Sequence, residues 1–312
     1  MDPLEANRPL IAIVGPTGAG KSSLALRVAE KFGGEIVNCD SLQLYRGMDI
    51  GTAKPSASAR REIPHQLLDV IEPQKSFSAG EYARMARESI GEISSRGRLP
   101  VVTGGTGFYL RALLYGLPAL PERDELLRAH LSTREQRRPG SLHRLLRRFD
   151  PAAAARIHPR DVQKLIRALE VSLLTRAPLP PPASAEPLRG YRVLQIGLDP
   201  DRAALHKLLN ERASEMFAHG LIDEVKQLLA AGCTGFEKPF ESLGYRQALA
   251  CIRGEMTLDQ AIASTQLETR QYAKRQLTWF RKDPSVRWLR GFGDDPAVVE
   301  AAMEMVRTLV SG

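Results

Sequence analysis

A parallel α/β sheet of the phosphate-loop type, flanked by helices, with an inserted all-helical subdomain and a helical C-terminal region, is the architecture this sequence predicts. Three observations predict it. The apolar run "LIAIV", residues 10–14, leads directly into "GPTGAGKS", Gly15 to Ser22. "KSSLALRVAEKFG" follows, with apolar residues at helical spacing and a stop at Gly33, so the order is strand, loop, helix. Beyond it, apolar runs alternate with amphipathic stretches, as in a parallel sheet whose ligands gather at the carboxyl ends of its strands. From about residue 118 the chain turns long, basic and helical, until "YRVLQIGLD" resumes a strand pattern.

Each element has its own warrant. "GEIVNCD" reads as a second buried strand ending at Asp40, and "PHQLLDVI", residues 64–71, as a third. "SAGEYARMARESIGEISSRG" is a helix, with Ser78 and Glu81 spaced as a capping box. "LPVVTGGTGFYL" is a buried strand that breaks into a glycine turn and then a helix. The basic helical stretch closes with "RAPLPPPASAEPLRG", a proline-rich loop of extended form. "DRAALHKLLNERASEMFAHGLIDEVKQLLAAG" and "TLDQAIASTQLETRQYAKRQLTWFRK" are strongly helical. The expected division is a core of residues 1–117 and 191–312 around an insertion of 118–190.

Composition bounds the class. At 312 residues, 43% hydrophobic and 26% charged, the chain has the make-up of a soluble globular protein with ample core. No apolar run approaches the ~20 residues that span a bilayer. The opening "MDPLEANRPL" carries early acids and no apolar core, which argues against a secretory signal and makes the cytoplasm the expected location. Cys39, Cys233 and Cys251 are far apart and form no C-x-x-C, so they read as packing thiols rather than a disulfide or zinc framework. The net charge of +8 is clustered: residues 118–190 hold 14 Lys/Arg against 8 Asp/Glu, and residues 267–290 hold 7 against 2. Such clusters suit a polyanion such as nucleic acid, although a solvated arginine-rich surface has the same composition.

"GPTGAGKS" fits G-x-x-x-x-G-K-[ST] at every position and lies between a predicted strand and helix, as the motif requires. Its glycines let successive N–H groups turn toward one anion. The helix N-terminus adds partial positive charge, Lys21 adds a full charge, and Ser22 can reach a Mg2+ ion. The motif specifies a diphosphate and not the group attached to it. Asp40 ends the neighbouring strand. It is placed to hold Mg2+ or serve as base in a kinase, to act as general base toward another acceptor, or to cap the next turn. "SLQLYRGMDIGTAKPS" is a long loop whose Gln43 suits an adenine edge. "TGGTG", Thr103 to Gly107, lets a ligand approach the backbone and offers the Thr106 hydroxyl, though a plain turn reads the same. No second apolar strand ends in an acid suited to holding Mg2+ for hydrolysis, since apolar residues follow Asp69 in "QLLDV"; this counts against an ATPase.

Together "GPTGAGKS", "DSLQLYRGMDIGTAKP", "PHQLLDV", "FSAGEY", "TGGTGFYLRALLYGL", "DVQKLIRALEV", "SLGYRQAL" and "TRQYAKRQLTWFRK" resemble the tRNA dimethylallyltransferase family, over about residues 10 to 290. The resemblance implies a phosphate-loop core that binds dimethylallyl diphosphate with Mg2+, in a monomer. It implies a helical insertion that grips the tRNA anticodon stem-loop, and transfer of the dimethylallyl group to N6 of adenosine 37, within A36-A37-A38. On this likeness Asp40 is the general base, with Ser41, Leu42 and Gln43 around the flipped-out base. Gly15, Pro16, Thr17, Gly18, Ala19, Gly20, Lys21 and Ser22 cradle the diphosphate, Thr106 supports its oxygens, and Arg212 is a further ligand. Contacts to tRNA fall on Arg128, on Gln163, Lys164, Leu165, Ile166 and Arg167, and on Ser242, Leu243, Gly244, Tyr245, Arg246 and Gln247, besides Asp40 and Thr106. The proline richness of "RAPLPPPASAEP" departs from the family pattern and touches no motif.

The implied chemistry agrees with the residues. The N6 lone pair of adenine is delocalised, so a carboxylate that takes its proton as the bond to carbon forms is needed. The leaving diphosphate needs the charge that Lys21, the loop amides and Mg2+ provide. An adenine inside a stacked loop must be extruded, at a cost of a few kcal/mol, and a basic insertion gripping phosphates offsets that. Tyr109, Tyr245, Tyr272 and Trp279 are candidates for stacking on bases or for the core. A small-molecule phosphate-loop kinase shares the loop, Asp40 and the sheet, but leaves the basic insertion unused. A nucleotide-gated RNA-binding protein would not need the Asp40 carboxylate.

Overall fold

The computed structural model describes residues 7–118, 120–181 and 185–312, the side chain of Ala57 excepted. Residues 1–6, on which the expected lack of a secretory signal partly rests, and 182–184 of the proline-rich loop lie outside the described residues.

The elements of the first half are β1 (Arg8–Val14), α1 (Lys21–Phe32), β2 (Gly34–Asn38), α2 (Ala57–Glu62), β3 (His65–Gln66), α3 (Ala79–Ser95), β4 (Leu99–Thr103) and α4 (Gly107–Tyr115). There follow α5 (Glu125–Arg137), α6 (Ser141–Phe149), α7 (Pro151–Arg156) and α8 (Val162–Thr175). The last part holds β5 (Tyr191–Asp199), α9 (Arg202–Ala218), α10 (Leu221–Ala230), α11 (Tyr245–Ile252), α12 (Leu258–Phe280), β6 (Val286–Arg290) and α13 (Pro296–Ser311). The strands form one parallel sheet in the order β3-β2-β4-β1-β5-β6. Two compact units result, Met1–Leu114 with Leu188–Gly312, and Tyr115–Pro187.

In the first unit, β2 and β4 are buried along their whole length, as strands covered on both faces must be. Ile11, Ile13 and Val101 of the sheet share a core with Leu24 and Val28 of α1 and Ala302 and Val306 of α13. α1 stops where Gly33 turns left-handed and returns its N–H to Ala29 O. α3 starts with the expected capping box: Ser78 Oγ accepts from the Glu81 N–H (3.1 Å), and Glu81 Oε2 accepts from the Ser78 N–H (2.7 Å). A second core joins Tyr45 and Met48 of the long loop after β2 to Phe217, Leu221, Val225 and Tyr245 of α9–α11.

Two expectations about strands need correction. The third strand, expected over 64–71, ends after Gln66, because Leu67 and Asp69 take left-handed φ values of 61° and 54°. Asn38 Nδ2 donates to Leu67 O (2.9 Å), and beyond it the backbone pairs with the loop after β2: the Asp69 N–H donates to Gln43 O (3.3 Å), and the Val70 and Ile71 N–H groups donate to Leu44 O (2.9 and 3.1 Å). The C-terminal region, expected to be helical, adds the edge strand β6 parallel to β5. Its "VRWLR" mixes two arginines with three apolar residues and has no strict alternation, and only pairing with β5 makes it a strand.

The second unit is helical. Leu131, Leu142, Leu146, Leu165, Ile166 and Leu169 form its core. Asp124, Asp150 and Asp161 cap α5, α7 and α8 through their carboxylates. Arg144, Arg147 and Arg148 of α6 are exposed.

Candidate active site

The phosphate loop runs from the end of β1 to the start of α1, with Gly18 and Gly20 in the left-handed region at φ 79° and 80°. Lys21 folds back and donates to Pro16 O (2.7 Å). Burial lowers its pKa to about 8, partly opposed by Asp40 and reinforced by Arg212. Ser22 is exposed at the first turn of α1.

Asp40 follows β2 and is held by its own backbone turn. Its Oδ1 accepts from the Leu42 N–H (2.9 Å), and its N–H donates to Asn38 Oδ1 (3.0 Å). Oδ2 has no protein donor among the described residues. Asn38, itself buried, also donates from Nδ2 to Asp40 O (3.1 Å), and its own carbonyl accepts from Tyr82 OH (3.0 Å). Thr106 Oγ1 accepts from the Ser41 N–H (3.0 Å) and donates to Ser41 Oγ (3.2 Å), so the glycine turn after β4 sets the backbone beside Asp40. The neighbouring Cys39 is buried, and burial pushes its thiol up to about 12, which leaves it an unreactive packing group.

Two cavities adjoin at this point. One of about 440 Å³ is lined by Ser41, Leu42, Ser242, Leu243, Arg246 and Tyr272, among others. The second, of about 330 Å³, is lined by Gly18, Gly20, Ser22, Gln43, His65 and Thr103, among others. Thr17, Lys21, Asp40, Thr52 and Arg212 line both. Burial lowers the Arg212 pKa, while Asp40 and Glu215 oppose that shift. Neither Lys21 nor Arg212 has a carboxylate at salt-bridge distance among the described residues. Two desolvated cations thus face a space with room for an anion, while a carboxylate oxygen stands free beside them.

The sequence-predicted residues divide accordingly. Asp40, Ser41, Leu42, Thr17, Lys21, Arg212, Ser242, Leu243 and Arg246 meet around the larger cavity, with Arg246 paired to Glu268. Gln43 lines only the smaller cavity, and its Nε2 donates to Thr52 O (3.1 Å), so it does not stand with Ser41 and Leu42. Tyr245 and Gln247, expected at a tRNA surface, point inward. Tyr245 OH donates to Glu224 Oε1 (2.6 Å), whose Oε2 accepts from the Asp49 and Ile50 N–H groups (2.9 and 2.8 Å). Its ring lies against Gly51, where no Cβ would fit. This ring therefore props the cavity wall. Tyr109 is likewise buried and stacked on Tyr82, whereas Tyr272 faces the larger cavity and Trp279 is exposed.

In the helical unit, Leu165 and Ile166 are core residues, which corrects their expected surface role; Gln163 and Lys164 beside them are exposed. Arg128 and Arg167 both pair with Glu170 Oε2 (3.2 and 2.5 Å), a carboxylate with no exposed surface. Asn38, Glu224 and Gln276 were not singled out from the sequence. Asn38 ends β2, and Glu224 and Gln276 lie in helices α10 and α12; a single buried polar residue in either kind of element gives no local signal of its partner.

Known proteins resemble this chain along nearly its whole length. The sequence profile described as IPP transferase matches residues 43–283, and that described as isopentenyl transferase matches 9–72. The tRNA dimethylallyltransferases of Solibacter usitatus and Koribacter versatilis are 57% and 56% identical over 300 and 303 residues, covering 96% of this chain and 98% of each relative. The crystal structure of the full-length tRNA isopentenylpyrophosphate transferase of Bacillus halodurans aligns with a TM-score of 0.73 at 36% identity, covering 98% of this chain and 97% of that one. A eukaryotic dimethylallyltransferase, crystallised acting on tRNA, aligns with a TM-score of 0.83 at 25% identity, covering 98% of this chain and 80% of that one. The chain belongs to the IPP transferase family, enzymes that prenylate tRNA.

Proposed function

We propose that this enzyme transfers the dimethylallyl group of dimethylallyl diphosphate to N6 of adenosine 37, beside the tRNA anticodon, releasing diphosphate. The observation that carries the reading is the pair of cavities sharing Lys21, Asp40 and Arg212. A donor and an acceptor arriving from different sides would meet there. The diphosphate lies against Gly15–Ser22 and Arg212, where loop amides and two desolvated cations favour it. The adenine enters the larger cavity past Ser242, Leu243 and Arg246. Asp40 Oδ2 takes the N6 proton as the N6–carbon bond forms and the carbon–oxygen bond to diphosphate breaks. Thr106 holds the backbone at Ser41, and so holds Asp40, in register. The exposed Gln163, Lys164 and α6 arginines grip the stem-loop, which is flipped open at the target base.

Mg2+ suits this site. Thr103 Oγ1 is buried without a partner among the described residues and lines the same cavity as Ser22. No group of three His, Cys, Asp or Glu side chains clusters among the described residues. A few hydroxyl oxygens together with diphosphate and water match the habit of Mg2+, which keeps most of its water and leans on substrate phosphates. When bound, Mg2+ supplies charge to the departing diphosphate. The reading takes the enzyme as a cytoplasmic monomer, since one unit of one chain supplies every residue around both cavities. Among the described residues no helix is long and apolar enough to cross a membrane.

The test is to incubate the protein with Mg2+, labelled dimethylallyl diphosphate and an anticodon stem-loop containing A36-A37-A38. Label on adenosine 37, lost when that base is changed to guanosine, is the expected result. An unlabelled adenosine 37 refutes the reading.

A further inference from the structure

The face of α12 turned to the larger cavity carries Thr265, Glu268, Thr269, Tyr272 and Gln276, three and four residues apart. Gln276 is buried, with 5% of its surface exposed, and its amide spans two loops. Oε1 accepts from the Thr17 N–H in the phosphate loop (2.8 Å). Nε2 donates to Gly105 O in the glycine turn after β4 (2.9 Å). Both partners are backbone groups of fixed polarity, so one orientation of the amide satisfies both. The turn is moulded to the helix. A Cβ on Gly105 would collide with Gln276 Nε2, and one on Gly107 with the Trp279 indole.

This amide joins the two halves of the site. Thr17 belongs to the loop that faces the diphosphate. Gly105 precedes Thr106, whose hydroxyl fixes the Ser41 N–H and through it the Asp40 turn. Beyond the strand pairing of β1 with β4, this side chain ties the loop that faces the leaving group to the turn that holds the base. It also occupies the Thr17 N–H, leaving the N–H groups further along the loop for the anion. In a displacement, nucleophile, carbon and leaving oxygen must align, and a misplacement of ~1 Å costs on the order of 100-fold in rate.

We infer that Gln276 is a positioning residue for prenyl transfer, setting the phosphate loop against the Thr106–Asp40 segment without touching either substrate. The inference rests on the function proposed above. Two variants test it. Gln276→Met removes both hydrogen bonds at similar volume. Gln276→Glu keeps an acceptor for Thr17, but its carboxylate repels Gly105 O; protonated, it regains a donor and mimics the amide.

Single-turnover transfer with dimethylallyl diphosphate and the stem-loop is measured beside equilibrium binding of each substrate and thermal unfolding. The expected result for Gln276→Met is a rate about 10- to 100-fold lower. Both substrates should still bind within about threefold of wild type. For Gln276→Glu, the rate relative to wild type at the same pH should rise as pH falls from about 8 to 5, because burial and the facing Gly105 carbonyl raise the pKa of the introduced acid above its ordinary ~4.3 and it gains its proton in that range. The inference is overturned by a Gln276→Met rate within threefold of wild type. It is equally overturned by rate and both affinities falling together, or by a Gln276→Glu ratio flat with pH. If Gln276→Met does not fold, the pH ratio of Gln276→Glu decides. Wild-type protein that fails to prenylate would sink the proposed function itself, whereas active wild type with indifferent variants sinks only the role of Gln276.

Discussion

The two compact units treat buried positive charge in opposite ways. In the helical unit, Arg128 and Arg167 converge on Glu170, and the group is closed: charge meets charge, and the Asp124 N–H takes the remaining oxygen (2.8 Å). In the phosphate-loop unit, Lys21 and Arg212 are desolvated beside a cavity with no carboxylate in salt-bridge contact. A satisfied cluster contributes to folding, whereas desolvated cations without a carboxylate partner are what the proposed diphosphate site requires.

This contrast separates stability from activity under mutation. Asp40→Asn, which keeps the turn and removes the base, should slow single-turnover prenyl transfer by about 10²- to 10⁴-fold while stem-loop affinity holds. Loss of tRNA binding in parallel would contradict its role as base. Glu170→Ala should do the reverse. It strands two arginines and costs about 3 kcal/mol, the low end for a broken buried pair because both arginines reach water. Denaturant unfolding measures it. Burial opposes ionisation of Glu170, but the Arg167 and Asp124 hydrogen bonds and the charges of both arginines outweigh it and hold the carboxyl below its ordinary 4.5. A depressed folded pKa means that this stability is present above pH 4.5 and is lost as pH falls through the lower folded value. The Ala variant should lack that acid-dependent increment.

Lys21→Met should reduce the transfer rate by on the order of 10²-fold, as for a lost transition-state donor. In the proposed function the protonated amine binds the anion, and burial lowers its pKa to about 8. Donor affinity should therefore be full well below pH 8 and weaken as pH rises through it. Calorimetric titration between about pH 7 and 9.5 reads this slope, which should flatten in Lys21→Met. The smallest effect belongs to Tyr245→Phe. It deletes one hydrogen bond to the buried Glu224 carboxylate, at a cost of about 1.5–3 kcal/mol. A stem-loop affinity that falls while stability holds would return Tyr245 to the tRNA surface.

Legibility followed the range of each interaction. The phosphate loop was readable because its function comes from consecutive residues between a strand and a helix. Asp40 stood out because it ends "GEIVNCD", a short segment that reads as a buried strand. The strand expected over 64–71 was misjudged past Gln66, since an apolar run does not reveal that Leu67 and Asp69 turn left-handed and that the backbone beyond them pairs with the loop at Gln43–Arg46. β6 was missed because five residues with two arginines and no strict alternation resemble a loop until β5 pairs with them. Matching motif segments to tRNA contact swept in Leu165, Ile166 and Tyr245, because a motif marks a segment and not the direction in which each side chain points.

The sequence alone determined a glycine-rich loop ending in Lys21 and Ser22, a carboxylate just past the next strand, a basic helical stretch and most of the order of the elements. These are properties of neighbouring residues and of periodicity along the chain. Folding settled which cations stay unpaired, which aromatic rings are struts, and that one glutamine spans the site. Gln276 lies 259 residues from Thr17 and 171 from Gly105 in sequence. No local pattern encodes a hydrogen bond over such separations; it exists because folding brings Gln276 of α12 against the loops that follow β1 and β4.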